Sequence, residues 1–360
     1  MIHHLYIHVP FCARLCPYCS FYKRQNDLQN IRVFLETLPL ELEKVRAEFD
    51  IQPRTIYFGG GTPSILSLAQ LEALFKDWPW REAEEFTFEC NPATVSEEKA
   101  RLLRSVGVNR ISLGVQAFEP QHLQFLGRTH SREQVKATVA RLRKAGFVNI
   151  SLDLIFAFSG QSLAQWEAAL KEAAALEPTH LSAYNLNVEE GSDFWKRDGV
   201  FQEVSEERQR EMFFYTQDRL RELGFGSYEV SNFARPGWES LHNLACWRGS
   251  DYIGLGPSAC STVGERRWQN VAHMQCYADS VRRDGFAERK EEALSPRMKQ
   301  AERIFLGLRT REGVEEGVML PWKKEAEDLV KEGLAEMKHG RLRLTPRGLV
   351  LADSISEIFV

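Results

Sequence analysis

The sequence predicts an α/β protein, a partial (β/α)6 TIM-type barrel followed by a smaller mixed C-terminal domain, and two observations carry the prediction. From residue 3 to about residue 190, short β-branched or aromatic runs alternate with longer helical patterns, which is the signature of repeated strand-helix units around a parallel sheet. Polar residues also sit at the C-terminal ends of several different strands. A barrel gathers its chemistry from many strand ends, whereas a doubly wound sheet concentrates ligand groups at one switch point.

The strands expected are Leu5–Val9, Thr55–Phe58, Glu85–Cys90, Arg110–Val115, Asn149–Phe156 and His180–Leu186. Helical patterns fall near 31–48, 67–77, 96–106, 131–145 and 162–176, with Ser96, Ser131 and Ser162 as N-caps. After Glu190 the alternation fades into a helix near 205–223, a Gly- and aromatic-rich stretch at 224–277 and a charged helical tail. These patterns assign the barrel to 1–225 and the C-terminal domain to 226–360. Between Glu332 and Arg347, the turn signals Gly340 and Pro346 suggest a helix followed by a small β wing, a winged-helix-like end.

The composition describes a globular chain: 360 residues, 43% hydrophobic, 27% charged and 11% aromatic. A net charge of -4 without a basic block argues against nucleic acid as a partner. No apolar run approaches the roughly 18 residues of a bilayer span, and Met1–His4 lacks a signal-peptide layout, so a cytoplasmic location is expected. Of seven cysteines, three lie within eight residues, which favours metal binding over disulfides.

Those three form the C-x3-C-x2-C triad Cys12, Cys16 and Cys19, directly after the first strand. Three thiolates can hold three irons of a 4Fe-4S cube, and one iron is left open. An open iron accepts the amino and carboxylate groups of S-adenosylmethionine, whose reductive cleavage gives a 5′-deoxyadenosyl radical. The competing reading is a three-cysteine zinc site with His8 as fourth ligand, although zinc sites usually come as paired knuckles. Gly59-Gly60-Gly61-Thr62-Pro63 after the second strand offers backbone that a ligand can approach closely; the plainer explanation is a tight turn. Glu89, Gln116, Arg128 and Asp153 are candidates for the ligand's amine, ribose hydroxyls and carboxylate, Arg128 suiting a carboxylate fork.

With these residues in view, the chain resembles the coproporphyrinogen oxidase-like branch of the radical S-adenosylmethionine superfamily, and within it the HemW-type haem chaperones. The resemblance runs over nearly the whole chain. Tyr6-Ile7-His8-Val9-Pro10-Phe11-Cys12, Gly59-Gly60-Gly61-Thr62-Pro63-Ser64 and Asn109-Arg110-Ile111-Ser112-Leu113-Gly114-Val115-Gln116 carry it, with Leu126-Gly127-Arg128, Leu152-Asp153-Leu154-Ile155, and His242-Asn243 before Trp247. It implies a 4Fe-4S cluster on Cys12, Cys16 and Cys19, and S-adenosylmethionine contacts from Tyr6, Gly60, Gly61, Thr62, Glu89, Gln116, Arg128 and Asp153. It further implies a HemN/HemW-like C-terminal domain, haem as cargo, recipient haem proteins, a reductant such as flavodoxin or ferredoxin, and at most transient membrane association.

Within the branch, the oxidase motif has a further cysteine where this chain has Phe21, and the oxidase has an extension before its tyrosine. Only five residues precede Tyr6 here, which favours the chaperone side. The alternative is a radical enzyme acting on a tetrapyrrole by decarboxylation, methyl transfer or haem degradation. The branch's His-Asn-x-x-Tyr-Trp motif reads His242-Asn243-Leu244-Ala245-Cys246-Trp247, making His242 and Cys246 the haem candidates; without the resemblance, the sequence favours capping or hydrogen bonding in a loop for His242. Phe156-Ala157-Phe158-Ser159-Gly160-Gln161 lacks the first Gly and the Pro of the family's Gly-Leu-Pro-Gly-Gln loop, and Cys260 stands where His is common. Cys90 and Cys276 are expected to pack as small apolar residues. Trp238, Trp247 and Trp268 would serve a flat apolar pocket or simple core packing.

Overall fold

A computed structural model describes residues 1–196 and 204–359. Six strands, β1 (Ile2–Val9), β2 (Ile51–Gly60), β3 (Glu85–Cys90), β4 (Arg110–Gln116), β5 (Asn149–Phe156) and β6 (His180–Asn185), pair in parallel, each with the next. Helices α1 (Leu28–Glu48), α2 (Leu68–Phe75), α3 (Glu97–Ser105), α4 (Arg132–Lys144) and α5 (Leu163–Ala175) connect them. The serine caps form as expected: Ser96, Ser131 and Ser162 accept from Lys99 N, Gln134 N and Gln165 N, and the last two complete capping boxes. Each such cap contributes about 1 kcal/mol.

Strand alternation divides the sheet into two faces. Leu5, Ile7, Phe58, Phe86, Phe88, Ile111, Leu113, Leu152, Leu154 and Leu181 are fully buried against the helices. The intervening positions carry His4, Tyr6, His8, Thr55, Tyr57, Glu85, Thr87, Glu89, Arg110, Ser112, Ser151, Asp153, His180, Ser182 and Tyr184. In register, Thr55 lies beside Glu85, Thr87 beside Arg110, Ser112 beside Ser151, and Asp153 beside Ser182. The inside of the curled sheet is therefore polar.

The sheet runs on past residue 225, where the sequence places a boundary. After α6 (Glu206–Glu222), β7 (Gly226–Ser227) and β8 (Asn232–Ala234) add antiparallel strands beyond β6. Following α7 (Leu241–Trp247), β9 (Ile253–Leu255) pairs in parallel with β1 at the opposite edge. A three-stranded sheet comes next, β10 (Cys260–Val263), β11 (Arg266–Asn270) and β12 (Arg289–Ala293), with α8 (Met274–Asp284) between its last two strands.

The remaining residues build a separate apolar core around Ile304, Leu308, Leu329, Leu342, Ile355 and Phe359. They comprise α9 (Pro296–Leu308), β13 (Val314–Glu315), α10 (Lys323–Lys331), β14 (Ala335–Lys338), β15 (Arg341–Leu344), α11 (Pro346–Val350) and α12 (Ala352–Glu357). The expected wing is β14–β15, turned on His339 and Gly340, both at positive φ as a type I′ hairpin requires. Its helix precedes Glu332 rather than starting there, because Gly333 at positive φ ends α10.

Glu41 of α1 fastens the barrel to the elements beyond β9. It is buried, and accepts from Gly256 N (2.8 Å), Tyr277 Oη (2.8 Å) and Asn270 Nδ2 (2.9 Å), so α1, the turn after β9, β11 and α8 meet on one carboxylate. Burial raises its pKa from 4.5 to about 7. The folded chain thus holds a proton there that the unfolded chain releases, and Glu41 stabilises the fold less as pH climbs from 4.5 through about 7. Buried neutral histidines, His180 and His242 among them, act in the opposite sense, so the test is a difference. Unfolding free energies of wild type and Glu41→Gln, measured by denaturant titration at about pH 5 and about pH 7.5, should shift in favour of the variant at the higher pH by about 2 kcal/mol.

Candidate cofactor site at the barrel mouth

The cysteine loop is held where β1 and β2 end. Gly61 N donates to Val9 O (2.9 Å) and Thr62 N to Phe11 O (2.7 Å), while Arg24 N and Asn26 N donate to Pro10 O (2.7 Å) and Cys12 O (2.9 Å). Both ends of the loop are fixed by backbone. The glycine run follows from this crowding: a Cβ on Gly60, whose φ is +101°, would lie 2.5 Å from the His8 ring, and one on Gly61 would lie 2.7 Å from Phe11 O. On Gly59 it would meet Tyr57 at 2.7 Å and Glu89 at 2.9 Å. Close packing of the chain on itself therefore explains all three glycines, and Gly60 and Gly61 also line the large cavity at the strand ends.

His8 does not serve as the fourth ligand of the zinc reading. Its Nε2 donates to Tyr22 O (2.9 Å), so the tautomer leaves Nδ1 to accept from Tyr6 Oη (3.0 Å), and both nitrogens are occupied.

Cys12, Cys16 and Cys19 all line this cavity, which encloses about 1150 Å³ at the C-terminal ends of the strands. Burial pushes the Cys12 thiol up to about 11 despite donation from Thr62 Oγ1 (3.7 Å). Arg128 Nη1 donates to Cys16 Sγ (3.7 Å) and Nη2 to Gly114 O (2.7 Å), while its buried Nε has no partner. Three thiols, two donors aimed at sulfur and an unmatched guanidinium N–H around one cavity suit an iron-sulfur cluster and an anionic ligand group beside it.

The polar strand ends meet on the same cavity. Gly60, Gly61, Thr62, Glu89, Asn91, Gln116, Asp153, Tyr184 and Asn185 line it, as does Tyr6. Glu89 lines the cavity and accepts from Tyr57 Oη (2.8 Å); burial raises its carboxyl to about 7. Asp153 is held by three hydroxyls, Ser112 (2.7 Å), Ser182 (2.8 Å) and Ser151 (3.0 Å). Gln116 has φ +65° where the β4–β5 register shifts, a strained conformation for a residue with a side chain and one that gathers at binding sites.

Sequence reasoning missed the layer behind Asp153. His180 Nδ1 donates to Ser151 Oγ (2.8 Å), and His180 Nε2 accepts from Tyr228 Oη (2.9 Å). Burial and Arg110 keep this imidazole neutral by lowering its pKa well below 6.5. The signal was the period-two run of polar residues in β5 and β6. Nothing local announces that Arg309 and Leu349–Ser354 of the C-terminal unit also line the cavity.

The haem candidates are not brought together at the cavity. His242 is buried at the N-terminal end of the barrel, its Nδ1 2.8 Å from Thr55 Oγ1 and its ring 5.1 Å from that of Tyr57. Burial, His4 and Arg110 lower its pKa to about 3. It occupies the hydrogen-bonding role that was the alternative to ligation. Burial likewise raises Cys246 to about 12. Asn243 lines the cavity, but His242 and Cys246 do not. The tryptophans form no common pocket: Trp268 is buried and stacked on Phe49 at 6.2 Å, while Trp238 packs near Tyr228 and Leu244. Cys90 is buried as expected, whereas Cys276 is exposed, because it falls on the outer side of α8.

Comparison with known proteins agrees with this geometry. Residues 6–173 match the family described as the Radical SAM superfamily. Among solved structures, coproporphyrinogen III oxidase HemN from Escherichia coli superposes with a TM-score of 0.84 at 24% identity, over 99% of this chain and 90% of that one, which establishes the fold. The class of protein is thus radical S-adenosylmethionine, a class that uses a 4Fe-4S cluster and S-adenosylmethionine. Heme chaperone HemW from Lactococcus lactis is 35% identical over 99% of this chain and 96% of its own length, and that from Bacillus subtilis 35% over 99% and 98%. Radical S-adenosyl methionine domain-containing protein 1 of Danio rerio, named as mitochondrial, is 33% identical over 98% and 85%. The chain belongs to the heme chaperone HemW family.

Gly60→Ala should disturb the cysteine loop, at a cost of about 2 kcal/mol or more, through its positive φ and the overlap with His8. Iron and sulfide bound per chain after anaerobic reconstitution should fall well below wild type. Gly317→Ala, where an added Cβ meets nothing within 4 Å, should load normally.

Proposed function

We propose that this chain is a radical S-adenosylmethionine haem chaperone that carries a 4Fe-4S cluster on Cys12, Cys16 and Cys19 and passes haem to recipient haem proteins. The observation that carries this reading is the meeting of the three-cysteine loop with Glu89, Gln116, Arg128 and Asp153 around one cavity, in a chain related over its length to proteins named heme chaperone HemW. When bound, the cluster supplies an open iron and an electron for S-adenosylmethionine.

The chain's own residues supply recognition. The unmatched Nε of Arg128 suits the ligand carboxylate, and Glu89, close to its titration point at neutral pH, becomes fully ionised beside an ammonium. Asp153, oriented by three serines, suits ribose hydroxyls. Tyr6, Gly60, Gly61, Thr62 and Gln116 complete the enclosure. A protein such as flavodoxin or ferredoxin would serve as reductant, and the cytoplasm suits a reducing chemistry of this kind. Among the described residues no helix is long and apolar enough to cross a membrane.

Reconstituted anaerobically, the protein should bind haem stoichiometrically, and should not decarboxylate coproporphyrinogen III or form 5′-deoxyadenosine in response to it. Decarboxylation without haem binding would replace the chaperone reading with the tetrapyrrole enzyme.

The serine-histidine layer makes a separate prediction. His180→Asn places an amide donor near the position of Nδ1 and should keep S-adenosylmethionine affinity within a few-fold. His180→Gln reaches instead toward Tyr228 and should weaken it about tenfold, roughly 1.4 kcal/mol. Equilibrium binding of S-adenosylmethionine to both reconstituted variants checks this.

A further inference from the structure

We propose that His130 is a positioning residue of the cofactor site: it holds the carbonyl that closes a γ-turn on Gln116, and so aims the Gln116 side chain into the cavity. The inference rests on the reading of Gln116 as an S-adenosylmethionine contact and specifies what keeps that contact in place.

Strand β4 ends in a sharp bend. Ala117 N donates to Val115 O (2.8 Å), which encloses Gln116, at φ +65°, in a three-residue turn. A γ-turn whose central residue has positive φ is rare and strained, and such strain persists only where the surroundings over-determine it. The register with β5 slips at the same point, between Gly114 and Gln116, so the ladder does not hold the bend.

The segment after Gly127 does hold it. Arg128 Nη2 donates to Gly114 O (2.7 Å) and His130 Nε2 to Val115 O (3.0 Å), so successive carbonyls of the strand end are gripped by residues two apart. That segment is itself fixed, since Arg128 N donates to Leu123 O (2.8 Å) and Ser131 opens α4 with a capping box. His130 is 4% exposed and stands outside the cavity, whereas Arg128 and Thr129 line it.

The direction of the Gln116 side chain depends on this clamp. The side chain makes no hydrogen bond among the described residues, so the backbone turn sets where it points. A Cβ on Gly114 would lie 3.0 Å from Gln116 Nε2 and 3.3 Å from Arg128 Nη2, and the missing side chain there lets amide and guanidinium converge on one part of the wall. Two adjacent donor groups suit a ligand oxygen. Relaxing the turn would withdraw one of them.

A histidine placed only for packing would not show this pattern. Val115 O already accepts from Ala117 N, so burial of that carbonyl requires no second donor. Donation from Nε2 fixes the tautomer and leaves the buried Nδ1 an acceptor without a partner. An unmatched buried acceptor is destabilising, and an apolar side chain would avoid it. The bond to the turn is the one side-chain hydrogen bond of His130 that offsets this among the described residues.

The test is a double-mutant cycle on full-length protein reconstituted anaerobically with iron and sulfide, read by equilibrium binding of S-adenosylmethionine. Iron bound per chain and unfolding by denaturant confirm that each variant is folded. His130→Gln places an amide donor near the position of Nε2 and should keep the Kd within a few-fold, whereas His130→Asn falls short of Val115 O and should raise it about tenfold. Added to Gln116→Ala, His130→Asn should change the Kd by less than about twofold, because the side chain it positions is already gone. Equal weakening by His130→Asn in both backgrounds would overturn the proposal, and so would an unchanged Kd in His130→Asn alone. Should His130→Asn fail to load iron, Gln116→Gly, which takes positive φ without strain, should restore loading, and the proposal is lost if it does not. A wild-type Kd in Gln116→Ala would instead overturn the reading of Gln116 as a cofactor contact.

Discussion

The barrel depends on the placement of one carboxylate. Glu85, the first residue of β3, is buried at the N-terminal end of the sheet. A buried acid costs several kcal/mol unless its oxygens are matched, and here Leu241 N (2.8 Å), His242 N (3.0 Å) and Ser240 Oγ (3.1 Å) match them, with Arg110 Nε 4.0 Å away. The donors are the first turn of α7, whose dipole also favours a negative charge at that point. The carboxylate therefore draws α7 into the barrel as a floor, and ligands are left the opposite end, where the strands finish and the cysteine loop begins. His242 is carried along as the second residue of that helix. Its place beside Thr55 and Tyr57 follows from the capping of Glu85.

Much of this architecture was legible because a barrel with a polar interior leaves a strict trace. Each strand alternates, as in Arg110-Ile111-Ser112-Leu113 or Ser151-Leu152-Asp153-Leu154, and a period of two with apolar residues on one face names both the strand and the side that packs on helices. The serine caps and the cysteine spacing are equally local, so β1 to β6, α1 to α5 and the cysteine triad after β1 could be read directly. What could not be read depends on contacts between distant segments. Gly60 is required by His8, 52 positions earlier, and the pairing of β9 with β1 joins residues nearly 250 apart. His242 illustrates the hazard: a motif specifies a residue, but its partner Thr55 lies 187 positions away and decides which way the ring faces.

The crowding around the glycine run also couples the two halves of the site. His8 packs over Gly60, Tyr6 donates to His8, and His8 donates to Tyr22 within the cysteine loop. Through Tyr57, which contacts Tyr6 and donates to Glu89, the same packing extends to the carboxylate that faces the cavity. A change at one glycine is therefore transmitted to the cysteine loop and to Glu89 together, since interiors packed to this density shift as units.

The charge balance of the cavity argues for what it was shaped to hold. Asp153 is stabilised by three serine hydroxyls, which are neutral donors: they orient the carboxylate and soften its desolvation without cancelling its charge. Glu89 receives a tyrosine hydroxyl, again neutral, and burial, helped by the nearby charge of Asp153, raises its pKa against the smaller opposing effect of Arg110. Arg128, the cation on the same wall, is turned toward Cys16 and the Gly114 carbonyl and away from these acids. A protein that needed only stability would have placed a cation beside Glu89 and Asp153, or dispensed with them. Kept as they are, the two acids favour a ligand that brings positive charge of its own, and S-adenosylmethionine brings both a sulfonium and an ammonium.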